Sequence, residues 1–233
     1  MGYRRLGVYG PDTPNNEAVF GRHIGDRGPA GYAQVRGVFL VAAARHQIRN
    51  CSFLPLSSSE HAAVPFLLRS LGPEDLLMVD RGLTSFRLLL ECQQRGVHFL
   101  VRISSTWKPQ AVKRIGKGDT LVRIRPCGVA RKQLKKQDKN ATIIARLLEF
   151  QVGDNGERVR LLMDLVDPSE FSALELAEQY HRRWECELTY KELKLELLAV
   201  AEGKQKTHFR SKTPIAVLQE AWGAALARFW FEN

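Results

Sequence analysis

Four residues recur along one stretch of this sequence at spacings that suit chemistry: Tyr180, Arg183, Glu187 and Lys194. On a helix, at about 100° per residue, they fall within an arc of about 60°, so one face presents them all. A carboxylate is a hard oxygen ligand for a divalent cation. A guanidinium, an ammonium and a phenol can donate to phosphate oxygens. The row therefore suits a metal ion and the phosphates around it. The same residues also read as a solvated face carrying i,i+4 pairs such as Arg183–Glu187, and periodicity alone does not separate the two readings. Another acid, Asp80, closes the short apolar run Leu76-Leu77-Met78-Val79. At a strand end it is either a metal ligand or a turn former. Its neighbour Arg81 either touches phosphate or makes a salt bridge. Trp184 reads as core packing, and the six histidines form no metal-ligand pattern.

The elements that must position these residues follow from local signals. The first thirty residues are rich in Gly, Pro, Asn and Asp and read as irregular, with turns at Gly10-Pro11-Asp12 and Gly25-Asp26-Arg27-Gly28. Extended runs at 34–43 and 47–54, broken near Arg45-His46, predict a hairpin. Ser57-Ser58-Ser59 offers caps for a helix that ends near Gly72, with Pro65 as a kink or its true first turn. The run 76–79 is a strand buried on both faces, delivering Asp80. Thr84 or Ser85 caps the next helix, Gly96 closes it, and 97–101 is another buried strand. Segment 104–170 reads as β-rich. It holds a basic stretch from Arg131 to Lys139 and an Asp154-Asn155-Gly156 hairpin turn. The basic stretch is either a solvated loop or a track for a DNA backbone. A long helix should run from Ser172 to about Val200, with Ser172 and Glu175 as a capping box. An apolar helix, 214–231, ends the chain. Its Leu218, Trp222, Leu226 and Trp230 suit core burial or an interface. The whole predicts an α/β fold: a mixed sheet with flanking helices.

Composition narrows the partner. In 233 residues, 35 Lys+Arg face 25 Asp+Glu, for a formal charge of +10. A bias of that size fits a polyanion, most commonly nucleic acid. A hydrophobic content of 44% is enough for the core of a single domain. The cysteines Cys51, Cys92, Cys127 and Cys186 lie at no metal or redox spacing and read as free thiols of a reducing compartment. No signal peptide and no membrane-spanning run is apparent, so the expectation is a soluble cytoplasmic protein.

Tyr180-x2-Arg183-x3-Glu187-x6-Lys194 resembles the Y-R-E-K signature of bacterial insertion-sequence transposases of the DDE class. The segment His181-Arg182-Arg183-Trp184-Glu185-Cys186-Glu187 resembles that family's Arg-Trp-x-x-Glu. Val79-Asp80-Arg81-Gly82 resembles the segment bearing its second Asp. Pro11-Asp12-Thr13-Pro14-Asn15-Asn16, Phe20-Gly21-Arg22 and Arg210-Ser211-Lys212-Thr213-Pro214 also match, in the right order over nearly the whole chain.

The resemblance implies an RNase H-like fold over 1–233, interrupted at 104–170 before the last catalytic helix. It implies two divalent ions, normally Mg²⁺, held by three carboxylates for cut-and-paste transposition. Asp80 and Glu187 are then metal ligands and catalytic residues. Tyr180, Arg183, Lys194 and Arg81 contact double-stranded DNA at the terminal inverted repeats. A homodimer and a nucleoid-associated location are further expectations. One departure stands out. The family's first Asp lies just before the Pro-Asp-Thr-Pro segment, but no acid precedes Asp12 here. The expectation is a chain truncated at its N-terminus, with cleavage lost or weak. Asp12 and Asp26 are the candidate substitutes. Two rivals are a non-catalytic DNA-binding or dimerising regulator of a full-length transposase, and an RNase H-like nuclease of another kind.

Overall fold

Apolar runs, caps and turn residues place most elements where the local signals put them. The computed structural model describes residues 2–25, 28–29, 31–152, 156–184 and 209–231. In chain order these hold β1 (Gly2–Tyr9), α1 (Pro14–Phe20), β2 (Ile24–Gly25), β3 (Gly28–Pro29), β4 (Gln34–Ala42), β5 (Gln47–Pro55) and α2 (Val64–Leu67). Then come β6 (Leu76–Val79), α3 (Phe86–Arg95), β7 (His98–Arg102), β8 (Gln110–Gly116), β9 (Asp119–Ile124) and α4 (Gly128–Gln133). The last are β10 (Ile143–Gln151), β11 (Arg158–Met163), α5 (Ala173–His181) and α6 (Pro214–Phe231). The chain divides into two units, Met1–Ser70 with Trp184–Asn233, and Leu71–Arg183.

In the first unit β1, β4 and β5 form an antiparallel sheet, with Gly2 opposite Val41 and Val35 opposite Pro55. The hairpin corner is a 3-10 turn, Ala43–Arg45, closed by His46 at φ 54°. The first thirty residues are not irregular as their composition suggests. Thr13 caps α1, accepting from the Asn16 backbone N–H, Pro14 occupies the first turn, and Gly21 ends the helix at φ 79°. Phe20 is buried beneath it. Turn-forming residues here mark the ends of a short helix rather than the lack of one. The helix expected after Ser57–Ser59 is broken into a 3-10 turn capped by Ser59, the four-residue α2, and a second 3-10 turn, Leu68–Ser70. Pro65 sits in the first turn of α2, where its missing N–H is harmless.

α6 packs on β5 through Trp222, whose ring meets Phe53 edge-on at 5.1 Å between centroids. The buried side of α6 is Val217, Ala221 and Ala225, spaced by four; Ile215 and Leu226 are exposed. Cys51 on β5 is a buried free thiol, its pKa pushed up to about 12 by burial.

The second unit is a six-stranded mixed sheet in the order β6-β7-β11-β10-β9-β8. β6 and β7 are parallel, with Leu76 opposite His98 and Val79 opposite Val101; every other pair is antiparallel. Leu77, Met78 and Val79 on β6 and Phe99, Leu100 and Val101 on β7 are almost inaccessible, as a strand covered on both faces requires. α3 joins the two. Ser85 caps it by accepting from Leu88 N–H, and Gly96 closes it at φ 70°. The β-rich segment 104–170 extends this same sheet, because β11 pairs with β7. Gln151 pairs with Arg158 across the β10–β11 hairpin. A Cβ on Gly156 would collide with the Val152 carbonyl oxygen, so only glycine fits there.

The capping box before α5 is present: Ser172 Oγ accepts from Glu175 N–H, and the Glu175 carboxylate accepts from Ser172 N–H at 3.0 Å. α5 ends at His181, with Arg182 as its C-cap. A turn at Arg182 thus interrupts the helix expected to run unbroken to about Val200, and its remainder from residue 185 on, including Glu187 and Lys194, lies outside the described residues.

Candidate nucleic-acid and metal site

Asp80 leaves the end of β6 in a tight hydrogen-bonded turn. Its Oδ1 accepts from the backbone N–H groups of Gly82 at 2.9 Å and Leu83 at 3.2 Å. A Cβ on residue 82 would stand 3.3 Å from that oxygen, so glycine permits the close approach. The turn-forming reading of Asp80 is therefore observed. One oxygen forms the turn, and Oδ2 takes no hydrogen bond from any described residue. The half-buried carboxylate is held in a fixed orientation with an oxygen to spare.

Thr84, which local signals offer only as a possible cap, has a larger part. Its buried hydroxyl lies 2.8 Å from the Asp80 carbonyl oxygen and 2.9 Å from that of Arg102. Donating its single proton to either, it ties the C-terminal ends of β6 and β7 together. No sequence signal marks this, because the two carbonyls become neighbours only through parallel pairing.

Tyr180 reaches the same strand end. Its phenol donates to the Val79 carbonyl at 3.3 Å. Burial raises the pKa of this phenol, and the Asp80 charge raises it further, while Arg183 and Arg102 pull it down. The group stays a protonated donor at neutral pH. The Arg183 guanidinium carbon lies 5.5 Å from the Tyr180 ring centroid, within cation–π range. So Asp80, Tyr180 and Arg183 converge, although α5 ends at His181 and Arg183 lies just past its C-cap. His181 is exposed on α5, and Trp184 is 55% exposed rather than packed in a core.

Arg81 points into a cleft of about 450 Å³ beside this corner. Its walls include Arg102, Trp107, Lys108, Glu149, Glu157 and Arg160. Arg81 makes a salt bridge, as one of its readings had it: Nη1 lies 3.3 Å from Glu157 Oε1, while Glu157 Oε2 lies 2.6 Å from Arg102 Nη2. The Arg102 hydrogen bond, its charge and then that of Arg81 hold the Glu157 carboxyl below the usual range. The basic stretch 131–139 lies instead on α4 and the turn after it, mostly exposed, with Asp138 accepting from Gln94.

Of the candidate substitutes for the first acid, Asp12 is paired with Arg22, and Asp26 lies outside the described residues. The motif around Asp12 has a structural use. Thr13 Oγ1 donates to the Lys212 carbonyl at 3.0 Å, and the fully buried Asn16 donates to the carbonyls of Pro11 and Ser211. Two segments that carried the family resemblance thus meet each other. Among the described residues no group of three or more His, Cys, Asp or Glu side chains could hold a metal ion.

In the second unit a mixed sheet thus ends in a fixed carboxylate, beside Tyr180, Arg183 and a cleft lined largely by cations, an arrangement of charges that suits phosphate. Known proteins place the chain in a family. The model of the transposase DDE domain family matches residues 11–230, and the chain belongs to that family. It is 32% identical over 219 residues to the transposase InsG for insertion sequence element IS4 of Escherichia coli (strain K12). That match takes in 93% of this chain and 48% of InsG, so the chain spans about half the length of that relative. A cryo-EM structure of the piggyBac transposase synaptic complex with hairpin DNA resembles the fold with a TM-score of 0.55 at 10% identity. It aligns with 99% of this chain and 46% of the piggyBac chain, and is consistent with an RNase H-like fold. No helix among the described residues is long and apolar enough to cross a membrane.

Proposed function

We propose that this chain binds the terminal inverted repeats of an insertion sequence as part of a DDE transposase, with its own strand cleavage weak or lost. The observation that carries the reading is the convergence of Asp80, Tyr180 and Arg183 at the end of β6. Asp80 and Glu187 are the acids proposed to hold a divalent cation, Mg²⁺ by the family's habit. Asp80 suits that task because one of its oxygens has no donor among the described residues. When bound, such an ion supplies Lewis-acid stabilisation of a phosphodiester oxygen and an activated nucleophile. Arg183, Lys194 and Arg81 are proposed to grip the flanking phosphates as hydrogen-bond donors and fixed charges, and Tyr180 to join them by exchanging its bond to the Val79 carbonyl for one to phosphate. Cleavage is proposed to be weak because β1, Gly2–Tyr9, contributes no carboxylate and Asp12 is paired with Arg22. The same observation favours a second reading, in which the chain occupies DNA ends or pairs with a full-length transposase and modulates it.

The test is a duplex bearing the element's terminal repeat, assayed for binding in EDTA and for strand cleavage in Mg²⁺. The expected result is binding without efficient cleavage, and weaker binding by Tyr180→Phe and Arg183→Gln. Robust cleavage that Asp80→Ala abolishes would overturn the claim of lost chemistry. Absence of binding at low salt would overturn the DNA reading.

A further inference from the structure

The cations lining the cleft beside Asp80 are not equivalent. Arg160 is a wall: 15% exposed, it donates to the carbonyls of Ser104 and Trp107 and pairs with Glu149 at 2.9 Å. Arg158 also leans on Glu149, at 3.3 Å. Lys108 has no anionic partner among the described residues. Arg81 and Arg102 likewise share one carboxylate, but theirs is exposed and off the strand: Glu157 is 62% exposed, whereas Glu149 is 28% exposed and sits within β10. Glu157 sends Oε1 to Arg81 and Oε2 to Arg102, one oxygen to each guanidinium. The two non-bridging oxygens of a phosphodiester would meet two guanidiniums in the same way.

Glu157 is also easily moved. Its side chain and that of Arg81 are each 62% exposed, while Arg102, at 24%, is the fixed half of the pair. It lies one residue before β11, whose ladder with β10 begins at the Arg158–Gln151 pair, so swinging it out breaks no strand pairing. Exposed ion pairs contribute little to stability, and a nucleic-acid backbone offers a dense row of competing anions.

We propose that Arg81 and Arg102 form a phosphodiester seat and that Glu157 is its resident stand-in, displaced when a nucleic-acid backbone enters the cleft. This rests on the DNA-binding reading above. The seat is closed to weak monoanions and opens to a polyanion, because only a ligand with further contacts recovers what the displaced pair loses.

The experiment is fluorescence anisotropy of a labelled 30-base-pair duplex of arbitrary sequence, in EDTA, across a salt series. Glu157→Gln is expected to tighten binding by about fivefold near 0.1 M salt, the upper range of an exposed pair. Arg102→Gln is expected to weaken it and to flatten the slope of log K against log salt by about 1. In the Arg102→Gln background, adding Glu157→Gln should change affinity less than twofold. Glu170→Gln, an exposed acid outside the cleft, controls for net charge. If the wild type binds but Glu157→Gln only matches Glu170→Gln, or keeps its full effect without Arg102, the seat is overturned and the DNA reading stands. If neither the wild type nor any variant binds, both fall. Binding by Glu157→Gln alone supports the seat in its strongest form.

Discussion

Asp119 and Arg146 meet across the neighbouring strands β9 and β10 almost without water, whereas Glu157 meets Arg81 and the half-buried Arg102 at strand ends, its own side chain 62% exposed. Both clusters join a carboxylate to guanidinium within the same unit. The first is bidentate, with nitrogen–oxygen distances of 2.6 to 3.2 Å, and Arg146 spends a further N–H on the Phe171 carbonyl at 2.6 Å. That bond holds the residue just before Ser172, the cap of α5. Burial makes the pair costly to break, because either partner left alone is an uncompensated charge in a dry place. Exposure makes the second cluster cheap to break, because water and salt stand ready to replace it. One pair therefore belongs to the scaffold that aims Tyr180 at the end of β6. The other is free to exchange its anion.

Substitutions break this comparison in graded steps. Arg146→Ala should cost about 3–5 kcal/mol in a urea unfolding measurement. Asp119→Leu combined with Arg146→Met should recover most of that loss, which a purely attractive pair would not allow. Thr84→Val, which removes the link between β6 and β7 at nearly constant shape, should cost about 1–3 kcal/mol. It should also weaken metal-dependent effects that need a fixed Asp80. Ser172→Ala should cost about 1 kcal/mol by uncapping α5.

Acid titration sharpens the same point. The Ser172 hydroxyl and then its backbone N–H hold the Glu175 carboxyl below its ordinary range. A depressed carboxylate contributes stability above the unfolded-state pKa, about 4.3 for glutamate, and loses it as pH falls through the lower folded value. The Ser172→Ala variant should therefore show a shallower loss of stability over that acid window than the wild type. The smallest effect belongs to Glu157→Gln, which should leave the melting temperature unchanged while altering DNA affinity. A large fall in melting temperature would place Glu157 with the scaffold instead.

Local order was the most legible feature of the sequence. The strand Leu76–Val79, the Ser85 cap, the Gly96 stop, the hairpin break before Gln47 and the Ser172–Glu175 box depend on residues within a few positions of one another. The helix at Pro14–Phe20 was masked by its own caps, since Thr, Pro, Asn and Gly signal a turn as readily as a helix end. Within the site, the approach of Arg183 to Tyr180 was legible because Arg182 keeps helical dihedrals past the end of α5, so a spacing of three still brings the two side chains together.

What the sequence by itself determined is the ancestry, through an ordered set of motifs, together with a surplus of cations and an acid at a strand end. Only the tertiary structure decided which charges are committed. Arg160, Arg146 and Asp119 carry no motif, and neither does the contact of Thr84 with Arg102 or of Glu157 with two guanidiniums. Those partners lie tens of residues apart in the chain. Sheet register sets their distances and solvent sets their strength, and neither quantity is encoded in local spacing.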